Sequence, residues 1–549
     1  MRLIIVLLAM AALAPPVQAR EVVDASAPQA LSVTVYRDPD RDKDEAMNRD
    51  WPRGFAMISE TRTVTLPAGE STVRFEGVAE GMVGVSAIVT GLPGGTIEKN
   101  RNAELLSPAA LVNGALGNRV TITRTNPATG RQVSEQAVVR TRADGGLVLQ
   151  TGDGFEAVRC AGLPERLTFD RVPRGLSARP VFSIDTRDAT GGTYTVTLTY
   201  LAWGFDWQAN YVGTLSDPGA ARDRSGTFSM HLLSWLTLLN DNGQSFEDAE
   251  LMVVAGTLSV VSDFADLSDP PVAEPLRLTC YPFGSTAAGT RVPFYGPYPP
   301  PPPPPPPPAA PAMMANAEAI MVTGSRLDAT AQKVRTAQEE QLGDLKLYRV
   351  PFPVTVAAKG LKQVAFLNQD RVAARYLYRI GCDPGERFQP LGDVAAPDPD
   401  GMAEAEMLLV TRNDRPSGLG VALPQGALRL FEPGERGPHL VAAPALRDYA
   451  VDQDIELAVG ASTQVFGQCA FNGPGDPPGE TAKWRRMRAA ISNANGHDAR
   501  VRVVLGRSGS VEARWPGRKT EVRDGRVTVE VTVPANSTRT FDFHLRETG

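Results

Sequence analysis

The sequence has little of what metal and nucleophile chemistry requires. It holds four His (His231, His439, His497 and His544) and four Cys (Cys160, Cys280, Cys382 and Cys469) in 549 residues. They are scattered, with no CxxC and no HExxH, which excludes the common zinc spacings. A GxSxG elbow, a P-loop and a GxGxxG between strand and helix are also missing, so no familiar catalytic or nucleotide-binding template is present. Basic excess is lacking too: Lys and Arg number 56 against 62 Asp and Glu, a net charge of −6. A nucleic-acid protein would carry a basic patch, and anionic lipid heads would not attract this chain. No run after residue 19 reaches the length of about eighteen apolar residues that marks a membrane-spanning helix. Sustained helical periodicity is nearly absent, and residues 329–343 are the best helix candidate.

What is present begins at the N-terminus. Met1-Arg2 is a short positive start, and Leu3 to Leu13 is an apolar run. Pro15-Pro16 breaks it, and Val17-Gln18-Ala19 supplies small or branched residues before a cleavage point. This is the layout of a secretory signal peptide over residues 1–19, too short to span a bilayer. No Cys stands near residue 20, so a lipid anchor on an N-terminal Cys is not expected. The mature chain is expected in the periplasm or secreted, with no transmembrane segment. An even number of Cys in an exported chain permits two disulfides, with three possible connectivities.

Strand signals dominate the rest. Leu31 to Tyr36 alternates with period two, as do Thr61–Leu66, Thr72–Phe75 and Ser86–Val89. Turn residues such as Pro93-Gly94-Gly95 separate them. These predict an N-terminal β domain over 28–102. Residues 103–165 read as a small barrel-like unit: a short helix capped by Ser107 with Pro108 at its first position, then four or five short strands. Residues 180–548 carry longer strands and predict a C-terminal β-sandwich. The fold class is therefore all-β. A proline-rich insertion, expected to be disordered, interrupts the sandwich at 284–343. Its run Pro299–Pro308 favours polyproline II, roughly 30 Å long at about 3.1 Å per residue.

Three stretches are candidates for chemistry. Asp38, Asp40, Asp42, Asp44 and Glu45 form an acidic cluster with alternate Asp residues, a pattern that suits calcium. The Gly and Glu of an EF-hand loop are missing, and Arg41 and Lys43 offset the charge, so a solvated hairpin loop is the expectation. Trp203, Phe205 and Trp207 share one face if their strand is continuous. Such a row can stack on sugars, or it can be core, the commoner fate of aromatic residues. Ile320-Met321-Val322-Thr323-Gly324-Ser325-Arg326 resembles the energy-coupling box of TonB-dependent outer-membrane receptors. Ile320, Val322, Thr323 and Gly324 in a flexible segment can add to the edge of a partner's sheet.

Several of these segments together resemble the mucoidy-inhibitor-like secreted proteins. Ser32-Val33-Thr34-Val35-Tyr36-Arg37, Thr65-Leu66-Pro67-Ala68-Gly69 and Phe75-Glu76-Gly77-Val78 are similar to that family's N-terminal domain. Leu201 to Tyr211, Ala249 to Gly256, Leu345 to Val350 and Leu423 to Leu430 are similar to its C-terminal domain. The resemblance implies a β fold and a Gram-negative envelope location, and it supplies no activity, since both family domains are of unknown function. Many members carry a coiled coil between the two domains; here the small unit takes that place.

These observations predict a non-enzymatic exported cell-envelope protein that binds a protein or a surface polysaccharide. The proline-rich arm or the 320–326 segment is a possible docking point for an envelope partner. No catalytic, metal or cofactor site is expected. A glycosidase needs only two spaced carboxylates, so an enzyme acting on envelope glycans is one alternative, and a purely structural envelope module is another.

Overall fold

A computed structural model describes residues 20–100, 104–126, 128–141, 147–157, 165–173, 176–216, 226–256, 258, 336–383, 401–471 and 484–548. These residues are all-β, with the short helix Pro108–Gly114 as the one α element among them. The signal layout of 1–19, the proline run and the 320–326 segment lie outside the described residues. Among the described residues, no helix is long and apolar enough to cross a membrane.

The chain divides into two compact units. One holds the described part of Glu104–Ala178; the other holds the described parts of Met1–Ala103, Arg179–Pro271 and Arg335–Gly549. In the smaller unit, Ser107 caps the helix as its sequence predicts. Its hydroxyl accepts from the Ala110 amide at 3.1 Å, with Pro108 opening the helix. Five strands form one antiparallel sheet in the order Gly154–Ala157, Val148–Thr151, Gln132–Val139, Arg119–Thr125 and Glu165–Thr168. The two outer strands do not pair with each other, so the barrel-like unit is an open sheet. Val120, Ile122, Val139 and Leu149 pack its apolar face with Val112 of the helix.

The larger unit is built of β-sheets around two hydrophobic cores joined by long strands. Ala30–Tyr36 pairs with Gly54–Leu66 and with Phe246–Ala255, and Gly54–Leu66 pairs with Gly192–Leu215. The N-terminal strands are thus built into sheets with later strands, and residue 102 does not separate one sheet from another. Two long strands contribute to both cores of this unit: Gly360–Gly381 and Asp454–Phe471. The first core gathers Val33, Ile58, Leu198, Phe205, Trp207 and Leu238 among others. The second gathers Val465, Ile491, Val501, Val503, Val531 and Phe543. A disulfide joins Cys382 to Cys469 in the second core, with Cα atoms 5.4 Å apart. Cys160 and Cys280 lie outside the described residues.

The helix expected at 329–343 is corrected over its described part. Gln338–Leu342 is a strand that folds back on Leu345–Arg349, with Leu342 opposite Leu345. Gly343 takes φ +59° between them, and a two-residue turn with positive φ is the preferred hairpin link. Local turn chemistry overrides the weak helical pattern.

Candidate functional site

The longest strand sets the site. From Gly192 to Ala202 its even positions face the core: Val196, Leu198, Tyr200 and Ala202 are buried. The register then shifts between Trp203 and Phe205. Gly204 sits at the shift with φ +87°, a backbone state that glycine reaches without cost and other residues do not. Beyond the bulge the odd positions face inward, so Phe205, Trp207, Ala209 and Tyr211 are each 0% exposed.

This divides the aromatic row expected on one face. Phe205 and Trp207 belong to the core and cannot stack on a ligand, with the Trp207 indole N–H donating to the Val254 carbonyl at 3.2 Å. Trp203 lies on the opposite face, half-buried, with its ring edge-on to Trp51 at 6.5 Å. The same bulge turns Gln208 and Asn210 outward. Both line a cleft of about 670 Å³.

Four further segments wall this cleft: residues 41–46, 425–429, 443–449 and 456–458. The strand Gly426–Gly434 runs parallel to the long strand, with Gly426 opposite Ala209. A Cβ on Gly426 would come within 2.0 Å of the Ala209 carbonyl oxygen, so only glycine permits that approach. The Tyr211 hydroxyl donates to the Pro424 carbonyl at 2.7 Å and fixes where Gln425 begins.

The acidic loop is strapped down rather than solvated along its length. Arg37 is paired with Asp448, which also accepts from the Gln425 amide at 2.8 Å. The Asp38 amide donates to Asp206 Oδ1 at 3.1 Å. Arg41 donates to Asp206 Oδ2 at 2.7 Å and to the Trp207 carbonyl at 2.6 Å. Gln425 Nε2 donates to the Asp42 carbonyl at 2.8 Å, and the Met47 amide donates to Gln208 Oε1 at 3.0 Å. The loop is therefore a fixed wall of the cleft. Asp42, Asp44 and Glu45 point to solvent, and among the described residues no three His, Cys, Asp or Glu converge as metal ligands.

Two carboxylates near the cleft have shifted affinities for protons. Burial pushes Asp206 up to about 6, against the opposing pull of Arg41 and its backbone hydrogen bonds. It is 1% exposed and is bound by Arg41, which lines the cleft. Burial also pushes Glu456 upward, but the hydrogen bonds and charge of Arg502, with Arg523 and Arg375, outweigh it and hold this carboxyl below the ordinary range. Arg502 grips both Glu456 oxygens, at 2.5 and 2.9 Å. In the 443–449 segment the Arg447 guanidinium lies 4.6 Å from the centre of the Tyr449 ring. Arg429 and Arg447 are exposed and form no ion pair among the described residues.

The structure thus brings together the flanks of two aromatic-rich or apolar motifs and an acidic loop that the sequence presents as separate features. Gln208, Asn210, Gln425, Arg429, Arg447 and Tyr449 were not singled out by sequence. An isolated glycine within a strand pattern marks a bulge, and Gly204 was the available signal that the facing positions exchange. Ile320, Val322, Thr323 and Gly324 lie outside the described residues. No protein-family model matches the chain, and no curated protein matches it.

Proposed function

We propose that this chain is an exported, non-enzymatic protein of the bacterial cell envelope that holds its ligand in the cleft beside Gln208 and Asn210. The ligand class is a segment of a surface polysaccharide or of a partner protein. The observation that carries this reading is the state of the charges around the cleft. Lys43 offsets Asp44, and Arg502 holds Glu456 ionised. A glycoside hydrolase needs one carboxyl that keeps its proton near neutral pH beside a second carboxylate. The carboxyl with raised affinity, Asp206, is buried and does not line the cleft, and its oxygens are engaged by Arg41, Asp38 and Trp207. A preformed cleft within the usual ligand-site range of about 300–1,000 Å³ suits binding.

The compartment rests on the Met1–Ala19 layout. The Cys382–Cys469 bond supports it, since such bonds persist in oxidising compartments. The similarity to mucoidy-inhibitor-like proteins supports it as well, and two of its segments, Leu201–Tyr211 and Leu423–Leu430, contribute cleft residues.

The test compares residues 20–549 with an Ala427→Trp variant on an array of bacterial surface glycans. Ala427 is exposed and lines the cleft, so a tryptophan there fills the space without removing a core contact. Glycan signals that vanish with the variant are the expected result. Signals equal in both proteins place binding elsewhere and reject the cleft.

A further inference from the structure

We propose that the cleft recognises an anionic saccharide, whose carboxylates are held by Arg429 and Arg447. This rests on the cleft being the ligand site and adds the ligand's chemistry.

The charges lining the cleft separate into committed and uncommitted groups. Arg41 is bound to Asp206, Lys43 to Asp44 and Glu456 to Arg502. Arg429 and Arg447 remain, with Glu45 on the exposed outer loop as the one counter-charge lining the cleft without an ion pair among the described residues. A guanidinium presents parallel N–H donors that match the two oxygens of a carboxylate. Arg447 is already positioned, because its guanidinium lies over the Tyr449 ring, and Tyr449 is 5% exposed and fixed in the core. Stacking engages the face of the guanidinium and leaves its edge donors available.

The remaining lining suits hydroxyl groups. Gln425 uses Nε2 on the loop and keeps its side-chain carbonyl available. Asn210 donates one proton to Thr237 and Gln208 accepts from Met47, so each amide keeps donor capacity. The apolar part is mostly small groups, Ala427, Ala443, Pro444, Ala445 and Ala458, beside Leu457.

These features favour a saccharide over an acidic peptide. A peptide gains most by adding to an open strand edge and by filling side-chain pockets. The long strand is paired on both sides at the cleft, with Thr227–Asn240 on one side and Gly426–Gly434 on the other. Gly426–Gly434 is in turn paired with Gly437–Ala442 and Ala445–Leu446. Neither of these two strands has a free edge there, and Ala445–Leu446, paired on a single side, is two residues long and follows Pro444.

Calorimetric titration of residues 20–549 with trigalacturonate, maltotriose and triglutamate tests the proposal. The prediction is that trigalacturonate binds, and that Arg429→Gln and Arg447→Gln each weaken it about tenfold or more, as expected for charge-assisted hydrogen bonds. Added salt weakens it, the maltotriose response does not depend on either arginine, and Ala427→Trp abolishes binding. Unchanged thermal midpoints verify that the variants fold. Triglutamate binding as tightly as trigalacturonate overturns the saccharide assignment. Trigalacturonate failing to bind, or binding both arginine variants undiminished, overturns the anion assignment. A neutral glycan lost only in Ala427→Trp leaves the cleft as the binding site while removing the carboxylate; no glycan sensitive to Ala427→Trp removes the cleft itself.

Discussion

At the scale of single residues, Asp206 links the core to the cleft wall. It takes amide hydrogen bonds from Asp38 and Trp207 and the guanidinium of Arg41. An unperturbed Asp titrates near 3.8 and this one is pushed up to about 6 by burial. The folded protein therefore keeps a proton that the unfolded chain releases in the window between those values. Where the native state binds more protons, stability rises as pH falls, here by at most about 1.4 kcal/mol per pH unit. The contribution is complete below the lower value and is lost as pH rises through the upper one. Urea unfolding of wild type and Asp206→Asn across this window checks it. The wild type is predicted to gain stability relative to the variant as pH drops; a constant difference contradicts the assignment.

At the scale of elements, the bulge at Gly204 decides which side chains are core and which reach the cleft. Alternation was legible in the sequence on both sides of it, and so were most strand positions. The exchange of faces was marked by Gly204 alone, because continuous alternation and alternation with a bulge otherwise look the same when aromatic residues occur on either side. Trp203 and Trp207 consequently face opposite ways despite even spacing. Gly204→Ala is predicted to cost about 1–3 kcal/mol through its positive φ. The new Cβ would also stand 3.0 Å from Asn242 Nδ2, and Asn242 already bridges the Gly81 amide and the Trp203 carbonyl. Thermal unfolding reads the loss, and a neutral substitution would show that the bulge does not depend on glycine. The 338–342 segment teaches the converse: a strong local signal, Gly343-Asp344 between two leucines, was present and outweighs weak helical spacing.

At the scale of the whole molecule, the fold class was legible because period-two alternation recurs along the chain. The cleft was not, because it joins Arg41, Gln208, Gln425 and Arg447, whose proximity depends on strand order rather than on spacing. Strand order also explains why 28–102 does not stand apart: Gly54–Leu66 pairs with a strand more than a hundred residues later. Among the four cysteines, Cys382–Cys469 closes a separation of 87 residues between two long strands. Loop-closure entropy assigns such a bond about 4–5 kcal/mol, within a usual range of about 2–5. Replacing both residues by Ala is predicted to lower unfolding free energy by roughly that amount, read by urea unfolding under oxidising conditions; an unchanged midpoint would show the bond to be dispensable.

The central claim is that the ligand occupies the cleft, and hydrogen exchange tests it most directly. Residues 20–549 are labelled with and without saturating trigalacturonate, and protection is mapped along the chain. The account predicts slowed exchange concentrated in residues 41–46, 426–429 and 443–449, which wall the cleft. Protection confined to any other surface, or none at a concentration where calorimetry detects binding, would contradict it.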